Sequence, residues 1–374
     1  MRVALVTEWF PPDVGGVASH VRDLALRLSE RGHEVCVVTR RREGRGEWPF
    51  DLVELEYSCF LKALCRPPGN GPLSSLLREL DPDVVHVHHA FAPIPLAFAL
   101  ISSARGYPTV LTNHSAYLYD YEIFLKALGY VAAPVRRALS GVDRIIAVSR
   151  AAAKFIESFA PSVPVVVIPC GVDTKRFSPE GPRRLRSALG GDAIVLYVGR
   201  LVYRKGVHYL VDSMEEVRRE CGDVRLVVAG DGPMAGHLRE RARELGLSGA
   251  VVFLGRVGEE ELPDVYRSAD LLVMPSLYGE SLGIVALEGM ASQLPVVASP
   301  VGGLREVVAD GVTGLLLRGL SPSAIASAVT KLLSRPDLMD RMGREGRRVA
   351  EERYSWEVVL PKVERIYEEV VSER

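Results

Sequence analysis

The stretch AIVLYVGRLVYRKGVHYLVDSMEEVRRECGDVRLVVAGDGP, residues 193 to 233, decides the fold. AIVLYV is apolar throughout, and VRLVVA is nearly so. Between them, GVHYLVDSMEEVRREC repeats its apolar residues at the spacing of one helix face. Strands that are apolar on both sides and separated by a helix indicate a parallel sheet covered on both faces. The segments that follow the two strands, GRLVYRKG and GDGP, concentrate glycine and charge. In such sheets ligands bind beyond the carboxyl ends of the strands.

The same alternation extends in both directions. AVVFLGRV, LLVMPS and PVVAS continue it, and RVALVT, EVCVVTR, DVVHVHH, PTVLTNH, RIIAVS and VPVVVIP precede it. HVRDLALRLSERG reads as a helix ending at Gly32. The pattern restarts after GVDTKRFSPEGPRR, which predicts two doubly wound α/β domains joined near residues 175 to 185. We assign residues 1–178 to the first, 179–352 to the second, and 353–374 to a C-terminal helix.

At 374 residues, two cores of ordinary size fit comfortably. Lys plus Arg is 46 against 47 acidic residues, so no basic excess points to nucleic acid. Cys36, Cys59, Cys65, Cys170 and Cys221 show no clip or redox spacing, which reads as reduced thiols in a cytosol. MRVALVTEWFPP is too short in its apolar part for a signal peptide, and no apolar run approaches about 18 residues, so no membrane span is expected.

The segments after the strands hold the chemistry, each beside a plainer reading. Gly15 and Gly16 allow backbone to approach a ligand and open a helix whose N–H groups attract anions, or they form a tight turn. Arg200 and Lys205 suit a diphosphate whose charge grows as it leaves, or they are solvated cations. His86 and His88 share a strand face with His89 opposite. Zinc there is conceivable, yet no carboxylate or Cys cluster completes the set, and core or cleft histidines hydrogen-bonded to backbone, or histidines in direct contact with substrate, explain it as well. His114 lies just past a strand. In PSLYGESLGIVALEGMASQLPVVAS, residues 275 to 299, a helix with Gly283 near its start would aim the N–H groups of Leu282, Gly283 and Ile284 at a ligand. Glu280 stands before that helix and Glu288 within it. Two carboxylates flanking a helix N-terminus fit a ligand with sugar rings on both sides of a diphosphate, a nucleotide sugar. The plainer reading is two surface glutamates.

GRLVYRKG, GDGP, FLGRV, the spacing of Glu280 and Glu288, IPCGVDTKRFSP and PVVASPVGGLREVVADGVTGLLL resemble glycosyltransferase family 4, retaining enzymes of the two-domain GT-B fold. Within it, GGVASHVRDLALRLSERGHEVCVVT, HVHHAFAPIPLAFAL and TVLTNHSAY look most like the catalytic subunit that transfers N-acetylglucosamine to phosphatidylinositol. The resemblance implies that Arg200 and Lys205 hold the donor diphosphate, Glu288 the ribose, and Glu280 hydroxyls of the transferred sugar. It places Ser281, Leu282, Gly283, Ile284 and Val285 against phosphate or sugar, and Arg256 and Val257 against the base. Gly15 and Gly16 would line the cleft opposite, His114 would touch the sugar near its 6-hydroxyl, and the C-terminal helix would cross back to the first domain. Cys170, where Asn is commoner, and Gln293, where Gly often precedes LPVV, depart from the family pattern without removing a charged residue.

The expected reaction is transfer of a hexose or N-acetylhexosamine from a nucleotide sugar, UDP-linked first and GDP-mannose next, to a lipid or glycan hydroxyl. No cofactor or metal is expected, because no suitable Asp-x-Asp occurs and the two cations can take its place. YLYDYEIFLKALGYVAAPVRRALSGV, residues 117 to 142, with Lys126, Arg136 and Arg137, suits an interfacial helix on a membrane or an ordinary amphipathic one. A peripheral place on the cytoplasmic face follows from the first of these. A nucleotide-sugar epimerase of the same fold and a non-catalytic nucleotide-sugar binder are the rival readings.

Overall fold

The computed structural model describes residues 1–41, 46–56, 69–117 and 132–374. Contacts divide the chain into two compact units: Met1–Gly171 together with Trp356–Arg374, and Val172–Ser355.

The first unit carries β1 (Arg2–Thr7), β2 (Glu34–Arg40), β3 (Asp51–Leu55), β4 (Val84–His88), β5 (Thr109–Asn113), β6 (Arg144–Ala147) and β7 (Val165–Val167). They form one parallel sheet in the order β3-β2-β1-β4-β5-β6-β7. β4 and β5 are buried at every position, as their unbroken apolar character requires. The helix Gly16–Glu30 turns Val21, Leu24 and Leu28 inward, where Trp356, Val359, Val363 and Tyr367 of the helix Trp356–Ser372 meet them over the sheet. On the other face Leu77, Ile94, Phe98, Leu139 and Ile156 cover Val6, Val85 and Leu111. Each such aliphatic or aromatic side chain contributes about 1.5–3 kcal/mol on leaving water.

The second unit carries β8 (Ala193–Val198), β9 (Val224–Ala229), β10 (Val251–Gly255), β11 (Leu271–Met274), β12 (Val296–Ala298) and β13 (Gly314–Leu316), again parallel, in the order β10-β9-β8-β11-β12-β13. The helix Val207–Cys221 buries Val207, Leu210, Val211, Met214 and Val217, the stripe that its spacing predicts.

The division between the units falls at Gly171/Val172 and Ser355/Trp356, not after residues 178 and 352. The cause is local. Val172 forms a parallel bridge with Ser355 and donates to the Tyr354 carbonyl at 2.8 Å. Asp173 then accepts from the amides of Lys175 and Arg176 at 3.0 and 2.9 Å, and the Arg176 guanidinium donates to the Glu259 carbonyl at 2.6 Å, tying the junction to the second unit. β3 and β13 were not among the strands read from sequence. DLVEL is a half-buried edge strand with charges in it, and β13 is only three residues long.

Among the described residues no helix is long and apolar enough to cross a membrane. Of the interfacial segment at 117 to 142, residues 118–131, Lys126 among them, lie outside the described residues. Arg136 and Arg137 are exposed on the helix Ala132–Leu139. Cys36, Cys170 and Cys221 are free thiols, and Cys59 and Cys65 lie outside the described residues. Burial pushes the thiols of Cys36 and Cys170 up to about 12.

Candidate functional site

In the second unit the chain runs outward from β8 through β9 to one side and through β11 to the other, so the strand order reverses between β8 and β11. Leu196 pairs with Leu272, which brings the segment after Val198 level with the segment after Met274. This is the switch point, where a doubly wound sheet leaves a crevice at its carboxyl edge.

The two segments lock together there. Arg204 accepts at its carbonyl from the Leu277 amide at 2.7 Å and donates to the Gly279 carbonyl at 3.2 Å. Gly206 turns the chain with φ 68°, and a Cβ there would lie 2.0 Å from the Pro275 carbonyl oxygen, so only glycine permits this approach. Lys205 is thereby held in an ion pair with Glu280 Oε1, and Ser276 donates to the same oxygen at 2.6 Å. Glu280 is 6% exposed. Burial alone would raise its carboxyl; the Lys205 ammonium, with Ser276 and Arg204, outweighs burial and holds it below the usual carboxylate range. The side chain is therefore an ionised acceptor fixed in one orientation. Arg200 is exposed, and its carbonyl accepts from the buried Tyr197 hydroxyl at 3.0 Å.

Gly283 caps the helix Ile284–Ala291 with φ 98°, leaving Ile284 and Val285 in the first turn, where backbone N–H groups have no helical acceptor. Leu282 is buried and Ser281 half-buried before it. The Gly303 amide donates to the Glu280 carbonyl at 2.9 Å and pins the loop. Glu288 is half-buried on the helix, and Tyr266 donates to its Oε2 at 2.6 Å. Arg256 is exposed, 3.8 Å from Asp231, with Val257 half-buried beside it. The structure thus brings Lys205 and Glu280 together and sets the capped helix directly after them. Ser276, Arg204 and Tyr266 are additions that sequence reasoning missed. No spacing rule points to them, because each acts through a contact made only in the folded unit.

The first unit gathers histidines at the carboxyl ends of β4 and β5. His86 and His88 do share a face, with rings 4.1 Å apart. His86 Nδ1 lies 2.6 Å from the Tyr367 hydroxyl and its Nε2 2.6 Å from Thr112 Oγ1. His88 Nδ1 lies 3.3 Å from Nε2 of the half-exposed His114. His89 turns away with φ 79°, and its ring accepts from the Phe91 amide at 3.3 Å. His20, missed from the sequence, joins this group from the helix that Gly15 and Gly16 open, stacked on Trp356 at 5.4 Å. Its one signal is its place in the first turns after the glycine pair. Gly15 and Gly16 are exposed, and a Cβ on Gly15 would meet nothing within 4 Å.

Burial lowers all of these rings, to about 4 in His20 and His89, about 3 in His86, and well below the ordinary value in His88 and His114. They are neutral near pH 7. One ring nitrogen each from His20, His88 and His114 lies within 4.8 Å of the other two, so these three are the set that could hold a metal among the described residues. A tetrahedral ion at the usual zinc–nitrogen distance spaces its donors about 3.4 Å apart, and an all-imidazole set suits zinc over magnesium.

Comparison with known proteins agrees with this organisation. Residues 14–176 match the family model described as Glycosyltransferase Family 4, and residues 184–349 that of Glycosyl transferases group 1. The chain is 33% identical over 367 residues to the GDP-mannose-dependent alpha-(1-6)-phosphatidylinositol monomannoside mannosyltransferase of Mycolicibacterium smegmatis, with 94% of each covered. Among solved structures it is similar to sucrose-phosphate synthase of Thermosynechococcus elongatus, with TM-score 0.81, 23% identity and both chains fully covered. It is also similar to Anabaena HepE in complex with UDP, with TM-score 0.79, 20% identity, and 98% of this chain and 99% of that one covered. At these identities the structural likeness speaks to the fold, which is GT-B.

Proposed function

The chain belongs to glycosyltransferase family 4, and from that premise we propose that it transfers a hexosyl group, with retention of configuration, from a nucleoside-diphosphate sugar to a hydroxyl of a phosphatidylinositol-based lipid. The acceptor is supported from two sides: the mycobacterial relative acts by name on a phosphatidylinositol mannoside, and the first-unit motifs resemble an enzyme of phosphatidylinositol glycosylation. For the donor, GDP-mannose takes first place because that relative matches across nearly the whole chain, and UDP-N-acetylglucosamine follows.

The observation that carries the reading is the Lys205–Glu280–Ser276 cluster at the switch point, next to a capped helix N-terminus. Lys205 has three N–H donors, so it can hold Glu280 with one and a donor phosphate with another. Arg200 adds a second cation on the same segment. As the bond from the anomeric carbon to the phosphate oxygen breaks, the diphosphate gains charge, and these two cations and the amides of Ile284 and Val285 stabilise it. The acceptor oxygen forms the new bond from the same face, and its proton passes to the departing phosphate oxygen. Glu280, ionised and fixed, accepts from sugar hydroxyls, while Glu288 accepts from the ribose. In the first unit, neutral His114 offers a ring nitrogen to a hydroxyl. With two cations on the diphosphate, transfer needs no divalent ion, and the reaction belongs at the cytoplasmic membrane surface.

The test is transfer of labelled sugar from GDP-mannose or UDP-N-acetylglucosamine to phosphatidylinositol vesicles, with the product anomer read by NMR. Arg200→Ala should lower kcat about 100-fold, the usual loss when a charge-stabilising group is removed. Activity should survive EDTA, and the protein should sediment with the vesicles. An unchanged kcat in Arg200→Ala, or an inverted product, would sink the mechanism.

A further inference from the structure

We infer that Tyr266 is a positioning residue for nucleoside recognition: its hydroxyl sets the plane of the Glu288 carboxylate, and the junction motif GVDTKRFSP holds Tyr266 in place. The inference rests on reading Glu288 as the ribose carboxylate.

A glutamate carboxylate turns about a broad terminal torsion with no staggered wells, so its own side chain does not fix the plane it presents. Two vicinal hydroxyls reward only a carboxylate held in the right plane. Tyr266 supplies the hold. Its ring is fully buried on the helix Leu262–Ser268, and its hydroxyl donates to Glu288 Oε2 at 2.6 Å. A carboxylate accepts at about four positions, and the phenol takes one of them. Burial, with Glu288 beside it, raises the phenol well above its ordinary value, so the donor proton stays in place across the neutral range.

The junction motif has no part in the donor chemistry described above, yet it packs against this pair. Phe177, 4% exposed, meets the Tyr266 ring edge to face at 5.5 Å and 89°. The Arg347 guanidinium donates to the carbonyls of Thr174 at 2.8 Å, Phe177 at 2.7 Å and Ala291 at 2.5 Å. Ala291 ends the helix that carries Glu288. One cation therefore ties the junction, and through Phe177 the Tyr266 ring, to the end of the Glu288 helix. Phe177 stops Tyr266 from moving away while Arg347 keeps the helix in register.

The experiment is calorimetric binding of UDP, GDP and ADP, each beside its 2′-deoxy counterpart, to the whole chain. The wild type should prefer the ribonucleotide of its own series by about tenfold or more, the scale of a hydrogen bond to a charged group. Tyr266→Phe, which keeps the ring and the packing, should weaken the ribonucleotide about tenfold and the 2′-deoxy form less than about twofold, so that the preference collapses. Phe177→Leu should reduce the preference part of the way. A merely structural tyrosine would weaken both ligands equally, and that result, or an unchanged preference, overturns the inference. Glu288→Gln separates the two levels. If it abolishes the preference while Tyr266→Phe does not, only the positioning role falls; if it leaves the preference intact, the ribose reading of Glu288 falls and the inference with it.

Discussion

At the scale of single residues, Arg200 and Lys205 answer different questions although both are cations on one segment. Arg200 is exposed, so Arg200→Ala should lower kcat and leave the melting temperature within about 1 °C, as surface changes do. Lys205 neutralises a buried carboxylate, so Lys205→Ala should lower kcat and also destabilise the fold. The pH dependence then changes sign. In the wild type the Glu280 carboxyl lies below its unfolded value of 4.5, so it contributes stability that is present above that pH and lost as pH falls through the folded value. Without the ammonium, burial dominates and raises the carboxyl above 4.5, so the variant should lose stability as pH rises from 4 to 7. Urea titrations of both proteins at pH 4, 5.5 and 7 test this, and parallel profiles would refute the role assigned to Lys205. That Lys205 and Glu280 stand at one crevice was legible because glycine-flanked charge after an apolar strand is a local pattern. Ser276, Tyr266 and His20 were not, because a serine, a helical tyrosine and a helical histidine acquire roles only from a neighbour distant in sequence.

At the scale of elements, legibility followed burial. β8, β9 and β4 could be read directly since both faces are covered, whereas β3 lies at a sheet edge and keeps charges that blur its pattern. The helix Ile284–Ala291 could be placed from sequence, but not the way in which it starts. Its cap needs φ 98° at Gly283, and a Cβ there would approach the Leu304 side chain to 2.5 Å. Gly283→Ala should therefore cost about 1–3 kcal/mol in backbone strain. It should also turn the first-turn amides, weakening binding of a nucleoside diphosphate more than binding of the nucleoside alone. Calorimetry with the two ligands measures the difference; equal losses would mean that these amides do not face the phosphates.

At the scale of the whole molecule, the two units titrate differently. The restart of the pattern after GVDTKRFSPEGPRR pointed to two sheets, and Trp356–Arg374 groups with the first unit as the resemblance implied, whereas the segment 172–178 groups with the second unit because a bridge between Val172 and Ser355 decides the division. The consequence is that His20, His86, His88, His89 and His114, all held neutral, belong to one unit with Trp9, Trp48 and Trp356, all the tryptophans of the chain. The unfolded chain protonates these rings near pH 6.5, whereas the folded unit holds His20 and His89 neutral to about 4 and His86 to about 3. Between those limits the unfolded state binds more protons, so stability falls as pH drops below 6.5, by up to about 1.4 kcal/mol per pH unit for each ring. Tryptophan fluorescence reports the first unit alone. Its urea midpoint should fall steeply between pH 7 and pH 5, while the second unit, where burial lowers His208 and the buried Glu280 is still ionised, should lose less of its hydrogen-exchange protection. His86→Gln removes one titrating ring and should flatten the fluorescence profile by about one proton. A profile that is flat in the wild type would mean that these rings are protonated or hydrated in the fold, and the neutral hydrogen-bonding role given to His114 would fall with it.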